Sequence, residues 1–396
     1  MTGATDADRR RGGVPPWRDI RVLRVVVQVA ILLGVALGVA YLINNLTTAM
    51  AERGFGFGFG FLDRRAGFEI GESPIPYTAS DTYGQAFLAG LLNTLFVSVV
   101  GIVLATVLGI LVGVARLSPN WLVRRAAASY VELIRNTPLL LQLFVIYFVV
   151  LLQLPPVRDT IALPASVFLN QRGLFVPGPQ IGSSFGLWLA LLAIGLAAAI
   201  GGRGAARRLE ARGRPGYRLG QIGLLVLVGL AIGGWLLPAQ PPMTFDLPVR
   251  GRFNFSGGLA LSTGFTALLA GLVVYTTAFI AEVVRGGIQA IRRGQVEAAQ
   301  ALGLSDRDTM RLIVFPQALR VIVPPLTSQY LNLAKNSSLA IAVGYPDLFK
   351  VGTTMANQTG QPVPVIALVM GTYLAISLVT SLLMNLYNRR VQVLER

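Results

Sequence analysis

The chain contains no cysteine and no histidine, and lysine occurs only at Lys335 and Lys350. The first two absences exclude disulfides, thiolate nucleophiles, Ser-His triads, histidine proton relays and nearly every zinc or haem site. Acidic residues are also scarce: 18 Asp and Glu stand against 34 Lys and Arg, and only 13% of the chain is charged. A P-loop needs Gly-Lys followed by Ser or Thr. Lys335 follows Ala334 and Lys350 follows Phe349, so no such nucleotide site exists here. With so few reactive groups, the residues fit a chain that moves something rather than transforming it. No catalytic, cofactor-binding or metal-binding residue is expected.

Hydrophobic residues make up 54% of the chain, and uncharged runs of more than twenty residues recur along it. A helix needs about 20 apolar residues to cross a bilayer core, whereas a membrane barrel shows runs of about 10 alternating residues. The expected fold is therefore all-α and polytopic, with about eight transmembrane helices. The net charge of +16 would suggest nucleic acid in a soluble protein. Here the arginines fall in alternate loops, as the positive-inside rule requires, and no nucleic-acid partner is expected.

The expected spans are Val25 to Ile43, a run within Ala86 to Ala115, Val131 to Leu152, Phe185 to Ile200, Leu219 to Leu237, Leu259 to Ala281, a polar span within Val321 to Val343, and Val363 to Tyr387. The link between the fourth and fifth carries Arg203, Arg207, Arg208, Arg212, Arg214 and Arg218 against only Glu210, and it is the firmest orientation marker. Eight crossings place both termini in the cytoplasm. The basic start of the chain followed by an apolar run also fits a signal peptide, with Ala49-Met50-Ala51 as a cleavage triple. The run is longer than the 7–15 residues or so of a signal core, so we read it as a retained anchor. Gly54 to Phe61 alternates Gly and Phe and reads as an irregular loop, because Gly weakens a strand.

Gly294 to Pro316 is a polar island between apolar regions. Gln295 to Leu302 is helix-forming and Gly303 stands where a helix stops. Ser305 and Asp308 have the spacing of a helix cap and its third residue. The spacing predicts two short helices around a tight turn, the second running from Asp306 towards Phe315 and disrupted by Pro316. Ala298, Ala299 and Ala301 keep the first helix slim enough for a partner's groove. The plain alternative is an alanine-rich helical loop with no partner.

Glu297-Ala298-Ala299, three residues, Gly303, nine residues, then Ile313 and Pro316 resembles the EAA loop of binding-protein-dependent ABC importer permeases. Phe315 stands where Leu is usual. Ala278 to Ile288 resembles the A-x-I-A-E-x-x-R-G-G-I run of polar amino-acid permeases. Arg135 to Leu139 and Lys335 to Leu339 resemble their R-x-T-P-L and K-x-[ST]-S-L runs. These runs resemble the histidine-permease-like subfamily, and the first span, the Phe-Gly loop and the two inserted spans near 185–237 resemble its general L-amino-acid members. The resemblance implies a type I permease core over 85–388, an N-terminal extension over 1–84 and a cytoplasmic tail over 389–396. It also implies an ABC ATPase pair docked at Glu297, Ala298, Ala299, Gly303, Ile313 and Pro316, a second related permease, a periplasmic amino-acid-binding protein and inward translocation of L-amino acids. A secondary transporter and a non-transporting scaffold are the competing readings. The former would need a coupling-ion carboxylate within a span, and none stands mid-span.

Charged groups inside a bilayer face an interior or a cavity. Lys335, with Asn336, Ser337 and Ser338, is expected to line a translocation path or to bind neighbouring helices. Arg135, Asn136 and Thr137 are candidate gate residues. Glu132 with Arg135, and Glu282 with Arg285, are three apart on one helix face, so each is expected to pair at a helix end or to latch neighbouring helices. Pro138 either kinks the third span or marks its start.

Overall fold

The computed structural model describes residues 20–52, 58–251 and 254–391. The basic stretch before residue 20, the start of the Phe-Gly run at 53–57 and the tail beyond 391 lie outside the described residues.

The chain is mostly helical. Helix α1 (Ile20–Glu52) is apolar, and its described side chains are exposed. Helix α2 (Tyr83–Ala115) starts on a full capping box: Thr82 accepts from the Gln85 amide and Gln85 from the Thr82 amide. Helix α3 (Trp121–Arg135) is followed by α4 (Leu139–Phe144), which continues as a π-helical turn, Val145–Leu151. Strands β1 (Ile161–Leu163), β2 (Val167–Asn170), β3 (Gly173–Val176) and β4 (Gly178–Ile181) lead to α5 (Phe185–Glu210) and α6 (Tyr217–Leu236). Strands β5 (Met243–Asp246), β6 (Val249–Arg250), β7 (Phe255–Ser256) and β8 (Leu259–Ser262) then lead to α7 (Thr263–Gln289). After it come α8 (Arg293–Ala301), the single turn α9 (Asp306–Asp308), α10 (Phe315–Asn336), α11 (Leu348–Thr359) and α12 (Pro362–Val391).

Among the described residues six helices are long and apolar enough to cross a membrane: α1, α2, α5, α6, α7 and α12. The α3–α4 pair makes a seventh span only as a broken one, bent by 105°. This corrects the straight third span over 131–152. The bend falls at Asn136 to Pro138, and Pro138 caps α4 instead of kinking a continuous helix. Helix α10 is less apolar. At 1.5 Å per residue its 22 residues reach about 33 Å, enough for a hydrocarbon core of about 30 Å.

A second correction concerns Pro316. It does not end the helix begun at Asp306. The chain passes from α9 through a π-helical turn, Thr309–Val314, into α10 with Pro316 in its first turn. A proline lacks only the donor that an opening helical turn leaves free. Pro324 and Pro325 also lie inside α10.

Helix α7 is the centre of the bundle: 61% of its most apolar window is buried, against 28% or less for the other spans. It packs on α2, α3, α4 and α10, and buries Leu268, Leu272 and Ile280 with Val97 of α2 and Leu333 of α10. Helices α5 and α6 pack chiefly on each other.

The loops that follow the third and fifth expected spans contain antiparallel strands. The order β1-β2-β3-β8 forms one sheet, and β4-β5 and β6-β7 are separate pairs. Gly173 is required in this sheet: its φ is +126°, and a Cβ there would lie 2.0 Å from the Leu261 carbonyl. The strands gather at the end of the bundle where α5 and α7 begin. Helices α8 and α9 lie at the opposite end.

Candidate functional site

Helix α8 ends at Ala301 with Leu302 as its C-cap, and Gly303 takes a left-handed φ of +79°. The Leu304 amide returns to the Ala299 carbonyl at 3.1 Å and the Gly303 amide to Gln300 at 2.9 Å, which closes the turn. Ser305 Oγ then accepts from the Asp308 amide at 3.2 Å and caps the next turn. These two short helical pieces lie where the spacing put them. Ala299 is buried beneath the element, whereas Glu297, Ala298, Gly303 and Pro316 are exposed and Ile313 is half-buried. Among the described residues Glu297 makes no hydrogen bond or ion pair. Leu302 is 83% exposed, and Met310, Leu312 and Phe315 are exposed as well. The result is an apolar, unpartnered knob carrying a free carboxylate. The sequence reading missed Leu302, whose signal was a lone Leu beside a helix-stopping Gly.

The α8 element is carried by α7 and α10. At the α7 end, Glu282 pairs with Arg285, the Nε lying 3.2 Å from the carboxylate, and also with Arg116 at the end of α2. The expected i,i+3 pair is therefore half of a three-residue cluster. Arg116, 166 residues away in sequence, leaves no local signal. The other expected pair does not form. Glu132 is exposed and unpaired among the described residues, and the Arg135 guanidinium lies over the Phe279 ring, 5.2 Å from its centroid. A cation over an aromatic face of α7 replaces the carboxylate. Arg135, Asn136 and Thr137 sit at the α3–α4 bend. The Gln142 side-chain amide donates to the Ile134 carbonyl at 2.9 Å and to Thr137 at 3.1 Å, suturing backbone groups the break leaves open.

Lys335 is exposed near the end of α10 and lines a groove of about 700 Å³ between α11 and α12. Ser338, Thr353, Asn357, Tyr373 and Ser377 are the other polar residues in its largely apolar wall. Ser338 donates to the Lys335 carbonyl and Ser337 to the Ala334 carbonyl, each at 2.8 Å. Ser337 is fully buried and Asn336 half-buried, so Lys335 and Ser338 face this groove and Ser337 does not. The structure does not bring Lys335 and Arg135 into one site.

Two carboxylates tie together the strand-bearing end. Glu72 accepts from the Ser262 amide at the start of α7, and burial pushes its carboxyl above the usual range. Its backbone carbonyl accepts from Asn93 Nδ2, which also donates to Pro346, both at 2.8 Å. Asp347 is fully buried, caps α11 through the Lys350 amide at 2.9 Å and accepts from Tyr373 Oη at 3.0 Å. Burial pushes its carboxyl up to about 6 against those bonds. Partial burial likewise depresses the Lys350 ammonium, which donates to the Gly344 carbonyl.

The family described as "binding-protein-dependent transport system inner membrane component" matches residues 105–393. The amino-acid ABC transporter permease protein YhdX of Escherichia coli K12 is 46% identical over 90% of this chain and 91% of its own length. The general L-amino acid transport system permease protein AapQ of Rhizobium johnstonii is 44% identical over 96% and 94%. The glutamate/glutamine/aspartate/asparagine transport system permease protein BztB of Rhodobacter capsulatus is 43% identical over 96% of each. Among solved structures, a chain of an amino acid ABC transporter with histidines is 21% identical, with a TM-score of 0.46 over 78% of this chain and 95% of that one. The chain thus belongs to the inner-membrane components of binding-protein-dependent transport systems, as a multi-pass permease of the amino-acid ABC transporter type.

Proposed function

We propose that this permease carries L-amino acids from periplasm to cytoplasm and is driven by a separate pair of ATPase subunits seated on the α8–α9 knob. The observation that carries the reading is the knob itself: a rigid turn with Glu297 unpaired and Leu302 almost fully exposed, at the end of the central helix. Exposed apolar side chains on a closed turn, Leu302 with Met310, Leu312 and Phe315, are surface that a docked partner would bury. Eight crossings, with α10 as the seventh, put the knob and both termini in the cytoplasm beside the basic α5–α6 tip. A periplasmic binding protein would then meet the strand-bearing end. A second, related permease would complete the path against the Lys335 groove, where the ammonium would meet the substrate carboxylate. The amino-acid class follows the names of the relatives.

The test is co-purification. Gly303→Val strains a left-handed position by about 1–2 kcal/mol, and Glu297→Lys reverses the free charge. Each should cut the recovery of an ATPase with the permease, and uptake with it, to about a third or less. Uptake that persists in a strain with no ATPase partner would establish the secondary-transporter reading instead. Lys335→Met should raise the substrate concentration for half-maximal uptake about tenfold, the size of one lost charge-assisted bond, whereas Lys335→Arg should keep most of it. Unchanged uptake in Lys335→Met would remove the groove from the path.

A further inference from the structure

The α5–α6 hairpin is joined to the rest of the chain mainly through the strands at its base. Its two helices meet through glycines. A Cβ on Gly195 would lie 2.8 Å from the Leu227 Cα, one on Gly202 2.6 Å from the Leu219 carbonyl and one on Gly223 2.6 Å from the Ala198 carbonyl. Three other glycines of α5 do nothing of this kind: Gly186 in its first turn, and Gly201 and Gly204 further along. Gly201 and Gly204 have no atom within 4 Å of a Cβ position. They floor a groove of about 480 Å³ that continues past Ala205 and Leu209 to Arg208 and Arg212. Glycine costs a helix about 1 kcal/mol relative to alanine, and at these two positions no packing inside the chain offsets that cost.

The arginines have the same character. Arg203, Arg207, Arg208, Arg212, Arg214 and Arg218 are all exposed, and none has an ion pair among the described residues. Only Glu210 opposes them. Such a cluster repels itself unless counter-charge arrives from outside. The groove also runs along the helix from the apolar part of α5 to its charged end. That is the layout of a lipid at a membrane interface: acyl chain on the apolar floor, phosphate at the guanidiniums.

We propose that this groove binds an anionic glycerophospholipid, its phosphodiester held by Arg208 and Arg212 and its acyl chain lying over Gly201 and Gly204. Guanidinium suits this role because its planar fork takes two phosphate oxygens at once. The lipid would fix the free end of a hairpin that the protein's own helices leave unsupported. The site is independent of the transport reading above.

The experiment uses the full-length chain purified in mild detergent, with native mass spectrometry after exposure to phosphatidylglycerol or phosphatidylcholine. The wild type should retain phosphatidylglycerol about tenfold more than phosphatidylcholine. Arg208→Gln with Arg212→Gln should abolish that preference. Gly201→Leu with Gly204→Leu, which fills the groove and leaves every charge in place, should abolish it as well. Arg124→Gln with Arg125→Gln, on another helix at the same end of the bundle, should leave it intact. Unchanged elution volume and helical circular dichroism show that each variant is folded. Retention unaffected by the leucines, or lost equally in the Arg124 and Arg125 variant, would mean diffuse charge attraction and would overturn the site. So would loss of an acidic protein partner from the Arg208 and Arg212 variant with lipid binding intact.

Discussion

A Gly109→Val chain will fail to accumulate as folded protein, and Ile280→Ala will restore a measurable part of it. Gly109 lies on α2 where α7 crosses closest. A Cβ there would sit 2.5 Å from Ile280 Cγ2 and 2.6 Å from Ile280 Cβ. Ile280 is fully buried and β-branched, so in a helix it has essentially one rotamer and cannot swing clear. Sliding the helices gives no relief, because Gly113, one turn on, meets the Ala281 carbonyl and Val284 Cβ, both at 2.8 Å. Helix propensity argues the other way: replacing a helical glycine gains up to about 1 kcal/mol. Overpacking costs about 1–3 kcal/mol when neighbours can yield, and more when two backbones must separate. In a bilayer that separation is decisive, since close packing and not hydrophobic burial holds helices together. Detached α2 would also uncover α7, on which α3, α4 and α10 all rest. The monodisperse peak of a fluorescent fusion in detergent should fall to about a tenth of wild type. Gly371→Val, at an α12 position with open space around it, should match wild type. Normal accumulation of Gly109→Val would show that α2 and α7 do not approach as described.

What the sequence revealed and what it hid follow one physical division. Gly303, Ser305 and Asp308 were legible because a left-handed turn and a cap are decided within a few residues. The long spans were legible because an uncharged run of bilayer length has few alternatives. The α3–α4 break was read through: Arg135, Asn136, Thr137 and Pro138 interrupt the run, but the sharpness of the bend depends on Gln142 closing the exposed backbone and Arg135 resting on Phe279. Prolines misled in the other direction. Pro316 was read as a disruptor, and the π-helical turn before it carries the helix through. Pairing of Glu282 with Arg116 spans two helices and has no local spacing to betray it. The β3–β8 pairing was equally hidden, since β3 finds that partner only after α5 and α6 have intervened.

The pH dependence of stability should carry the signature of Asp347. This carboxyl is fully buried where the chain turns from α10 towards α12, and burial pushes it up to about 6 against an ordinary value of 3.8. The folded chain therefore holds a proton between about pH 4 and 6 that the unfolded chain has released. Its contribution is fully present below about pH 4 and is lost as pH rises through about 6. At about 1.4 kcal/mol per pH unit, the gap between the two values corresponds to about 3 kcal/mol. Asp347→Asn imitates the protonated acid. It keeps an oxygen for the Lys350 amide, retains a polar partner for Tyr373 Oη and cannot ionise. At neutral pH this variant should be more stable than wild type by up to about 3 kcal/mol, and the difference should vanish by about pH 4. Subtracting one curve from the other cancels the titration of Glu72 and the remaining acids, which both chains share. Asp347→Ala separates charge from bonding, because it removes the ion together with the cap and the tyrosine's acceptor. Below pH 4 it should fall under wild type by about 1–3 kcal/mol, the cost of an uncapped helix and an orphaned buried hydroxyl. Thermal unfolding followed by tryptophan fluorescence from about pH 3 to about pH 7.5, which spans both the ordinary and the raised value, reads all three chains. Parallel curves for wild type and Asp347→Asn would mean that the carboxyl is solvated, not buried. A stabilised Asp347→Asn that transports more slowly would show that the ionised acid, costly as it is to the fold, is retained because the α10–α12 link must loosen for the path to open.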